Sequence, residues 1–180
     1  MNDILYFLKH TKQTEISDEI KKLGKSLKGP NELSIVYNVV DWLKKQKFTD
    51  LPHKDRETAN KIFRKRSADK ILQDGFFTGC SDYALVAATI FRFFGIPTKI
   101  SQVVSSDWLN NEPSKIVGHV LNEIYIFDQW LVLDPLKGSL GFSYSSLNFI
   151  LVKVGRDFKE MELVELDKLN AYLDDFKKNQ

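Results

Sequence analysis

The sequence predicts an α+β fold in which helices come first and antiparallel strands follow, and two observations lead to this class. Apolar residues recur at three- and four-residue spacing in the first half of the chain, as on amphipathic helices. After Pro97 the pattern changes to short β-branched or alternating runs, as on strands. With 180 residues, 43% of them hydrophobic, we expect one domain over 1–180 with its own core.

Five helices are predicted ahead of the middle of the chain, from apolar spacing and from caps or breakers at their ends. Gly29-Pro30 ends the second helix, and Ser67 is a typical N-cap for the fifth. Their expected spans are residues 3–10, 16–27, 33–47, 55–66 and 68–73. The region 1–66 is therefore expected to be a helical N-terminal part.

The most apolar helix is predicted from Cys80 to Phe94, where only two of fifteen side chains are charged. Gly95 and Pro97 end it, because glycine takes the left-handed conformation after a last turn and proline cannot extend a helix. The only cysteine of the chain lies in the first turn, where unpaired amides favour a thiolate. A lone cysteine is more often a small buried apolar residue, so Cys80 alone does not establish a nucleophile.

Strands and one last helix are predicted after Pro97. The expected strands are residues 98–105, 119–126, 130–133, 147–154 and 160–166, with a polar loop over 106–117. Asp167 is expected to cap an amphipathic helix that reaches about Lys177. The region 136–180 is therefore read as C-terminal strands and a helix.

The second and third strands form a predicted hairpin that brings a histidine close to an aspartate. If Phe127-Asp128 is a two-residue turn, Ile126 pairs with Gln129, and His119 and Asp134 become diagonal neighbours on one face. Phe-Asp is not the Asn-Gly type that tight hairpins prefer, so a longer loop is the alternative. A register shift of one residue would place the two side chains on opposite faces.

Four motif blocks over residues 67–135 carry a resemblance to a known family. They are Gly79-Cys-Ser-Asp-Tyr-Ala84, Phe94-Gly-Ile-Pro97, Gly118-His119 with Glu123 and Tyr125, and Trp130-Leu-Val-Leu-Asp-Pro135. In this order and spacing, the blocks resemble the transglutaminase-like superfamily of papain-related cysteine enzymes. The resemblance implies a papain-like core in which the Cys80 helix packs on an antiparallel sheet.

The resemblance also implies a catalytic triad. Cys80 would be the nucleophile, His119 the general base and later acid, and Asp134 the group that orients the imidazole. The implied reaction is attack on a carboxamide or peptide carbonyl with a thioester intermediate, which water hydrolyses or an amine such as lysine intercepts.

The oxyanion hole is the less determined part of the implied site. The backbone N–H of Cys80 would supply one donor at the helix N-terminus. Gln73 and Trp42 are both candidates for a side-chain donor. The alternatives are that Gln73 is a polar residue on the surface and that Trp42 packs in the core. Trp108, in the loop before His119, is a candidate substrate contact or lid.

Three functions stay open at this point. We expect a hydrolase, a peptidase or amidase, since the chain has no calcium-type acidic loop like the one that gates animal transglutaminases. Acyl transfer from protein glutamine to an amine is the second possibility, and a catalytically silent binding domain of the same fold is the third. The Cys-x-x-Cys metal motifs of amidases that act on asparagine-linked sugars are missing.

Composition argues against several other classes. The formal net charge is +2, so we expect no nucleic-acid or membrane partner and a peptide or protein substrate instead. The run Arg64-Lys65-Arg66 is read as a solvated helix face, and His53 as a surface residue. Cysteine and histidine spacing predicts no metal site, and no cofactor is implied. One cysteine cannot form an internal disulfide, and we expect a soluble, cytoplasmic protein.

Overall fold

A five-stranded antiparallel sheet carries the central helix on one face. The computed structural model describes residues 2–50, 55–112, 114 and 117–180. The strands lie in the order β4-β3-β2-β1-β5. Their bounds are β1 Thr98–Ser105, β2 Gly118–Ile126, β3 Gln129–Asp134, β4 Ser139–Gly141 and β5 Phe149–Gly155. Together with the helices this sheet confirms the predicted α+β class.

Eight helices occur within the described residues, five of them before the central one. They are α1 Asn2–Tyr6, α2 Asp18–Ser26, α3 Glu32–Lys44, α4 Arg56–Ile62, α5 Ala68–Asp74, α6 Cys80–Phe93, α7 Ser106–Leu109 and α8 Leu166–Lys178. Ser67 caps α5 as predicted, since its side chain accepts a hydrogen bond from the Lys70 N–H. In this set no helix is long and apolar enough to cross a bilayer.

Helix α6 forms the centre of the core. Every residue from Ser81 to Arg92 is buried, as the sparse charge of this stretch predicts. One side of the helix packs on the sheet, and the other side contacts α2, α3 and α5. The sheet contributes Ile100, Val120 and Ile124 to this core. Because α6 is enclosed on both sides, its first turn is the part that can present a side chain to a substrate.

The structure differs from the sequence prediction in several segments, among them strand β4, which was not predicted, and α8, whose N-cap is Glu165 and not Asp167. No strand forms over residues 160–166, because Glu162 takes a left-handed φ of 59°. Residues 160–162 form a turn, residues 163–165 are irregular, and α8 begins at Leu166. Buried Met161 and Leu163 flank Glu162, and their alternation imitates a strand pattern. The predicted loop over 106–117 contains the short helix α7. His53 lies outside the described residues.

The β2–β3 hairpin has the predicted two-residue turn. Ile126 pairs with Gln129, and both turn residues have left-handed φ angles, 54° for Phe127 and 58° for Asp128. These angles define the type I′ turn that suits the twist of the strands, but a phenylalanine adopts them at a cost. The register prediction is confirmed, although the turn residues are unfavourable.

Replacing these two residues by the preferred pair should stabilise the protein. We expect Phe127→Asn with Asp128→Gly to raise the free energy of unfolding by about 1–2 kcal/mol, because asparagine and glycine tolerate positive φ. The Phe127 side chain is 58% exposed, so little burial is lost. Urea unfolding measures the gain, and Phe127→Ala, which keeps a poorly suited residue at the same φ, is the control. A gain as large in the control would show that the turn conformation is not the cause.

Candidate active site

A buried ion-pair network holds the turn that delivers Cys80. The Asp82 carboxylate accepts hydrogen bonds from the Thr78 N–H and hydroxyl, both at 2.8 Å, and from Arg66 Nη2 at 2.5 Å. Gly79 is the N-cap of α6 and has extended backbone. Since Asp82 lies in the first turn of α6, these bonds clamp the preceding loop onto the helix and set the position of Cys80.

Cys80 is half-buried beside the start of strand β2. Burial disfavours its thiolate, but the hydrogen bond and charge of His119, the charge of Arg64 and the Val120 N–H outweigh burial and lower the pKa of the thiol. The pKa of Cys80 is therefore below that of an ordinary cysteine. Such a shift is typical of a reactive thiol rather than of a structural one.

His119 lies between Cys80 and Asp134. Its Nε2 is 2.8 Å from Asp134 Oδ2, and Phe149 stacks on the imidazole with ring centroids 5.3 Å apart. Because Nε2 is engaged by the carboxylate, Nδ1 is the ring nitrogen left for the hydrogen bond with the thiol. The stacked ring and the carboxylate together restrict the imidazole to one orientation.

Its environment makes His119 a stronger base than an ordinary histidine. Burial lowers the pKa of the imidazole, but the hydrogen bonds and charges of Asp134 and Cys80 raise it to about 9. A thiol of lowered pKa next to an imidazole of raised pKa favours proton transfer from sulfur to nitrogen. The geometry therefore supports a thiolate–imidazolium pair near neutral pH.

Asp134 is almost fully buried at the end of β3, with 1% exposure. One carboxylate oxygen faces His119, and the other accepts hydrogen bonds from the Leu136 and Lys137 N–H groups, both at 3.0 Å. Burial raises the pKa of this carboxyl, but His119 and the Lys137 N–H outweigh burial and hold the pKa below its usual value. The carboxylate is thus charged and fixed in orientation behind the imidazole.

The three candidate residues beyond Cys80, His119 and Asp134 lie in other surroundings. Gln73 is exposed, and its amide donates to Asp69 one turn earlier on α5, at 2.6 Å. Trp42 packs edge-on against Phe77, with ring centroids 6.4 Å apart. It lines a groove of about 380 Å³ that is formed by α2, α3, α5 and Phe77. These contacts match the alternatives that sequence analysis left open for both residues.

Trp108 is held by the C-terminal helix. Lys177 of α8 donates to the Trp108 carbonyl at 2.5 Å, and its ammonium lies 4.5 Å from the centre of the indole ring. The indole also packs against the core. In this arrangement Trp108 joins α8 to α7 and remains partly exposed.

Sequence analysis was wrong about two of the three residues in the run Arg64-Lys65-Arg66, since only Lys65 is exposed as predicted. Arg64 and Arg66 are 4% and 7% exposed, so they are not part of a solvated face. Arg66 pairs with Asp74 and Asp82, and Arg64 contacts the first turn of α6. A run of cationic residues in the sequence does not show whether their side chains are buried. Burial depends on hydrogen-bond acceptors elsewhere in the chain, such as Ser81, Gln102 and Asp82.

Phe149 is a second residue of the site that sequence analysis missed. It is the first residue of β5, which pairs with the edge of β1 opposite to β2, so its ring reaches His119 across β1. No local sequence motif predicts such a contact.

Among the residues that the structure describes, no three histidine, cysteine, aspartate or glutamate side chains cluster as metal ligands would.

Comparison with known proteins identifies relatives of this fold. The family model of the transglutaminase-like superfamily matches residues 21–135, well over half of the chain. A candidate cysteine protease from Cytophaga hutchinsonii has a similar structure, with a TM-score of 0.65 and 20% identity over 88% of this chain and 49% of that protein. The present chain thus spans about half the length of that relative. No curated protein matches the sequence.

Two weaker structural likenesses accompany this one. A candidate protease from Parabacteroides distasonis has a TM-score of 0.46 and 16% identity, over 73% of this chain and 29% of that protein. LapG from Legionella pneumophila has a TM-score of 0.41 and 19% identity, over 88% of this chain and 95% of LapG.

Proposed function

Since this chain belongs to the transglutaminase-like superfamily, we propose that it is a cysteine-dependent amide hydrolase, a peptidase or amidase acting on peptides or proteins. Cys80 is the nucleophile, His119 the general base and acid, and Asp134 the group that orients the imidazole. The observation that carries the proposal is the position of His119, whose hydrogen bonds join the Cys80 thiol to the buried Asp134 carboxylate.

The reaction begins from the thiolate–imidazolium pair. The Cys80 sulfur attacks the carbonyl carbon of the amide, and the carbonyl π electrons move to oxygen to form a tetrahedral oxyanion. The C–N bond then breaks, the departing nitrogen takes the proton from His119, and an acyl thioester remains on Cys80. Asp134 stays ionised throughout, because its second oxygen is held by two backbone N–H groups.

Water completes the cycle. Neutral His119 takes a proton from a water molecule, whose oxygen attacks the thioester carbon. The second tetrahedral intermediate collapses to a carboxylic acid, and the Cys80 thiolate leaves with the imidazolium beside it. An amine in the place of water would give acyl transfer by the same steps, so the acceptor that reaches the thioester decides between hydrolysis and crosslinking.

The N-terminus of α6 supplies the oxyanion with positive potential. The N–H groups of Asp82 and Tyr83 bond to the Gly79 carbonyl, whereas the Cys80 N–H precedes the first of these helical bonds. A backbone N–H at this end of a 14-residue helix points toward charge that develops next to the sulfur. We assign one oxyanion donor to the Cys80 N–H on this ground.

Incubation of a peptide library with the protein in H₂¹⁸O tests whether the protein cleaves amides and whether water attacks the thioester. We expect new carboxyl groups to carry ¹⁸O in mass spectra, and we expect Cys80→Ala to reduce their formation by at least about a thousandfold. Addition of dansylcadaverine to parallel samples reports transfer to an amine. Products that carry the amine instead of ¹⁸O would identify an acyltransferase. No Cys80-dependent product in either sample would indicate a catalytically silent binding domain.

A further inference from the structure

Arg64 is a buried arginine beside the first turn of α6. It follows α4, is 4% exposed and has a left-handed φ of 53°. This conformation is uncommon for a residue with a side chain and costs about 1 kcal/mol or more. Strain of this kind persists only where the surroundings hold the residue firmly.

Gln13 holds the backbone of Arg64 in place. The Gln13 amide donates to the Arg64 carbonyl at 2.7 Å and to the Arg66 carbonyl at 3.2 Å. Its oxygen accepts from the Phe158 and Lys159 N–H groups, at 3.1 and 3.2 Å. Gln13 is itself 1% exposed, so the backbone of Arg64 is tied through one buried amide to residues 158–159.

The guanidinium of Arg64 joins the two elements that carry Cys80 and His119. Nε donates to Ser81 Oγ at 3.0 Å, next to Cys80 on α6. Nη2 donates to Gln102 Oε1 at 2.5 Å, and the Gln102 amide donates in turn to the His119 carbonyl at 3.0 Å. One planar group thus connects the start of α6, through β1, to the start of β2.

No carboxylate pairs with Arg64 among the residues that the structure describes, in contrast to neighbouring Arg66, which pairs with Asp74 and Asp82. The third acceptor of Arg64 is the Leu163 carbonyl at 3.3 Å, and Phe158 lies over its guanidinium at 4.5 Å. A buried cation without a counter-ion is costly. Arg64 donates to Ser81, the neighbour of Cys80, and Cys80 is the ionisable group whose charge acts on the pKa of Arg64.

We propose that Arg64 is a positioning residue that sets the relative placement of Cys80 and His119 and faces the Cys80 sulfur with a fixed positive charge. This proposal rests on the proposed function, since it gives Cys80 the role of nucleophile. Burial lowers the pKa of Arg64 to about 10, so the guanidinium stays charged at neutral pH. The charged groups that face the thiol are then His119 from β2 and Arg64 from the segment after α4, with Asp134 behind the imidazole.

Alkylation of Cys80 by iodoacetamide as a function of pH tests the proposal. We expect Arg64→Met to raise the midpoint of the alkylation profile by about one pH unit, which lowers the rate at pH 6 about tenfold. Arg64→Lys keeps the charge and should restore part of this shift. A purely structural role would change thermal stability and leave the midpoint of every folded variant where it is in the parent.

Arg92 offers a matched control. It is also a buried arginine without a carboxylate partner within the described part of the chain, and it donates to the Phe7, Thr98 and Arg156 carbonyls. Arg92→Met should therefore lower stability as Arg64→Met does, but it should leave the alkylation midpoint unchanged. Equal midpoints for folded Arg64→Met and Arg92→Met would overturn the proposal.

Two further measurements keep the outcome decisive. If Arg64→Met does not fold, Ser81→Ala removes one of the three hydrogen-bond acceptors of Arg64. It should raise the midpoint of the alkylation profile by a few tenths of a pH unit, whereas no shift would contradict the proposal.

The parent and His119→Ala are measured in the same series. A parent midpoint near 8.5 that His119→Ala does not change would refute the proposed function itself. A low parent midpoint that only His119→Ala raises would refute the role of Arg64 alone.

Discussion

We expect His119→Ala to abolish both the early ionisation of Cys80 and turnover. The His119 hydrogen bond and charge are the largest influences that lower the pKa of the thiol, and burial acts against them. Without the imidazole, burial is opposed only by Arg64 and a backbone N–H. The thiol should then ionise near or above pH 8.5, and its alkylation rate at pH 6 should fall on the order of a hundredfold.

The loss of turnover should be larger than the loss of thiolate. In the proposed mechanism His119 also protonates the departing amine and later activates water, so we expect hydrolysis to fall by at least about a thousandfold. Alkylation followed by mass spectrometry and ¹⁸O incorporation into products measure the two effects separately. His10→Ala is the control, because His10 is exposed and its Nδ1 donates to the Thr14 carbonyl. Parent-like alkylation of His119→Ala would show that the imidazole does not ionise the thiol.

We expect Asp134→Asn to lower the pKa of His119 from about 9 toward its usual value and to reduce hydrolysis about 10²- to 10⁴-fold. Asparagine is nearly isosteric with aspartate, so its oxygen can still accept from His119 Nε2, but it carries no charge to stabilise the imidazolium. The titration of the His119 ring proton by NMR reports the pKa directly. An unchanged His119 titration would show that Cys80, and not Asp134, raises it.

The same substitution should change stability in a pH-dependent way. The raised pKa of His119 stabilises the parent fully below about pH 6.5, and this contribution is lost as the pH rises through about 9. The lowered pKa of Asp134 contributes above about pH 4 and is lost as the pH falls further. The deficit of Asp134→Asn in the free energy of unfolding should therefore be largest between these limits, at about 2 kcal/mol, and shrink above pH 9.

Asp157→Asn is a suitable control for this measurement. Asp157 is another buried carboxylate, 3% exposed, and it accepts from the Glu160 N–H at 2.7 Å, in the turns that follow β5. Its substitution should lower stability without changing the titration of His119. Urea unfolding of both variants at pH 5, 7 and 9.5 gives the comparison. A deficit of Asp134→Asn that stays constant across this range would show that the His119–Asp134 charge pair does not stabilise the fold.

Two features of the site could be predicted from local sequence because local rules determine them. The apolar run that ends at Gly95 and Pro97 places Cys80 in the first turn of a buried helix, and α6 begins at that residue. The two-residue turn at Phe127-Asp128 sets the β2–β3 register, and strand alternation then puts His119 and Asp134 on one face. Both arguments span few residues, so they need no knowledge of the rest of the fold.

Misreadings arose where a local pattern had two physical explanations. Met161 and Leu163 alternate with polar residues as in a strand, but left-handed Glu162 makes the segment a turn. Arg64 and Arg66 read as solvated cations, but both are buried. The sequence gives the charge of a side chain. It does not give the hydrogen-bond acceptors that surround that side chain in the folded protein.

By itself, the sequence determined the α+β class, the family, the helix that presents the thiol and the strand register of the hairpin. Only the tertiary structure decided how the thiol is surrounded: Phe149 reaches His119 from β5, and Arg64 reaches Ser81 and Gln102 from 17 and 38 residues away. The physical reason is the separation along the chain between the residues that interact. Helix caps, turns and strand alternation act between near neighbours in the chain. Burial, ion pairing and the pKa of Cys80 depend on groups that meet only when distant elements pack together.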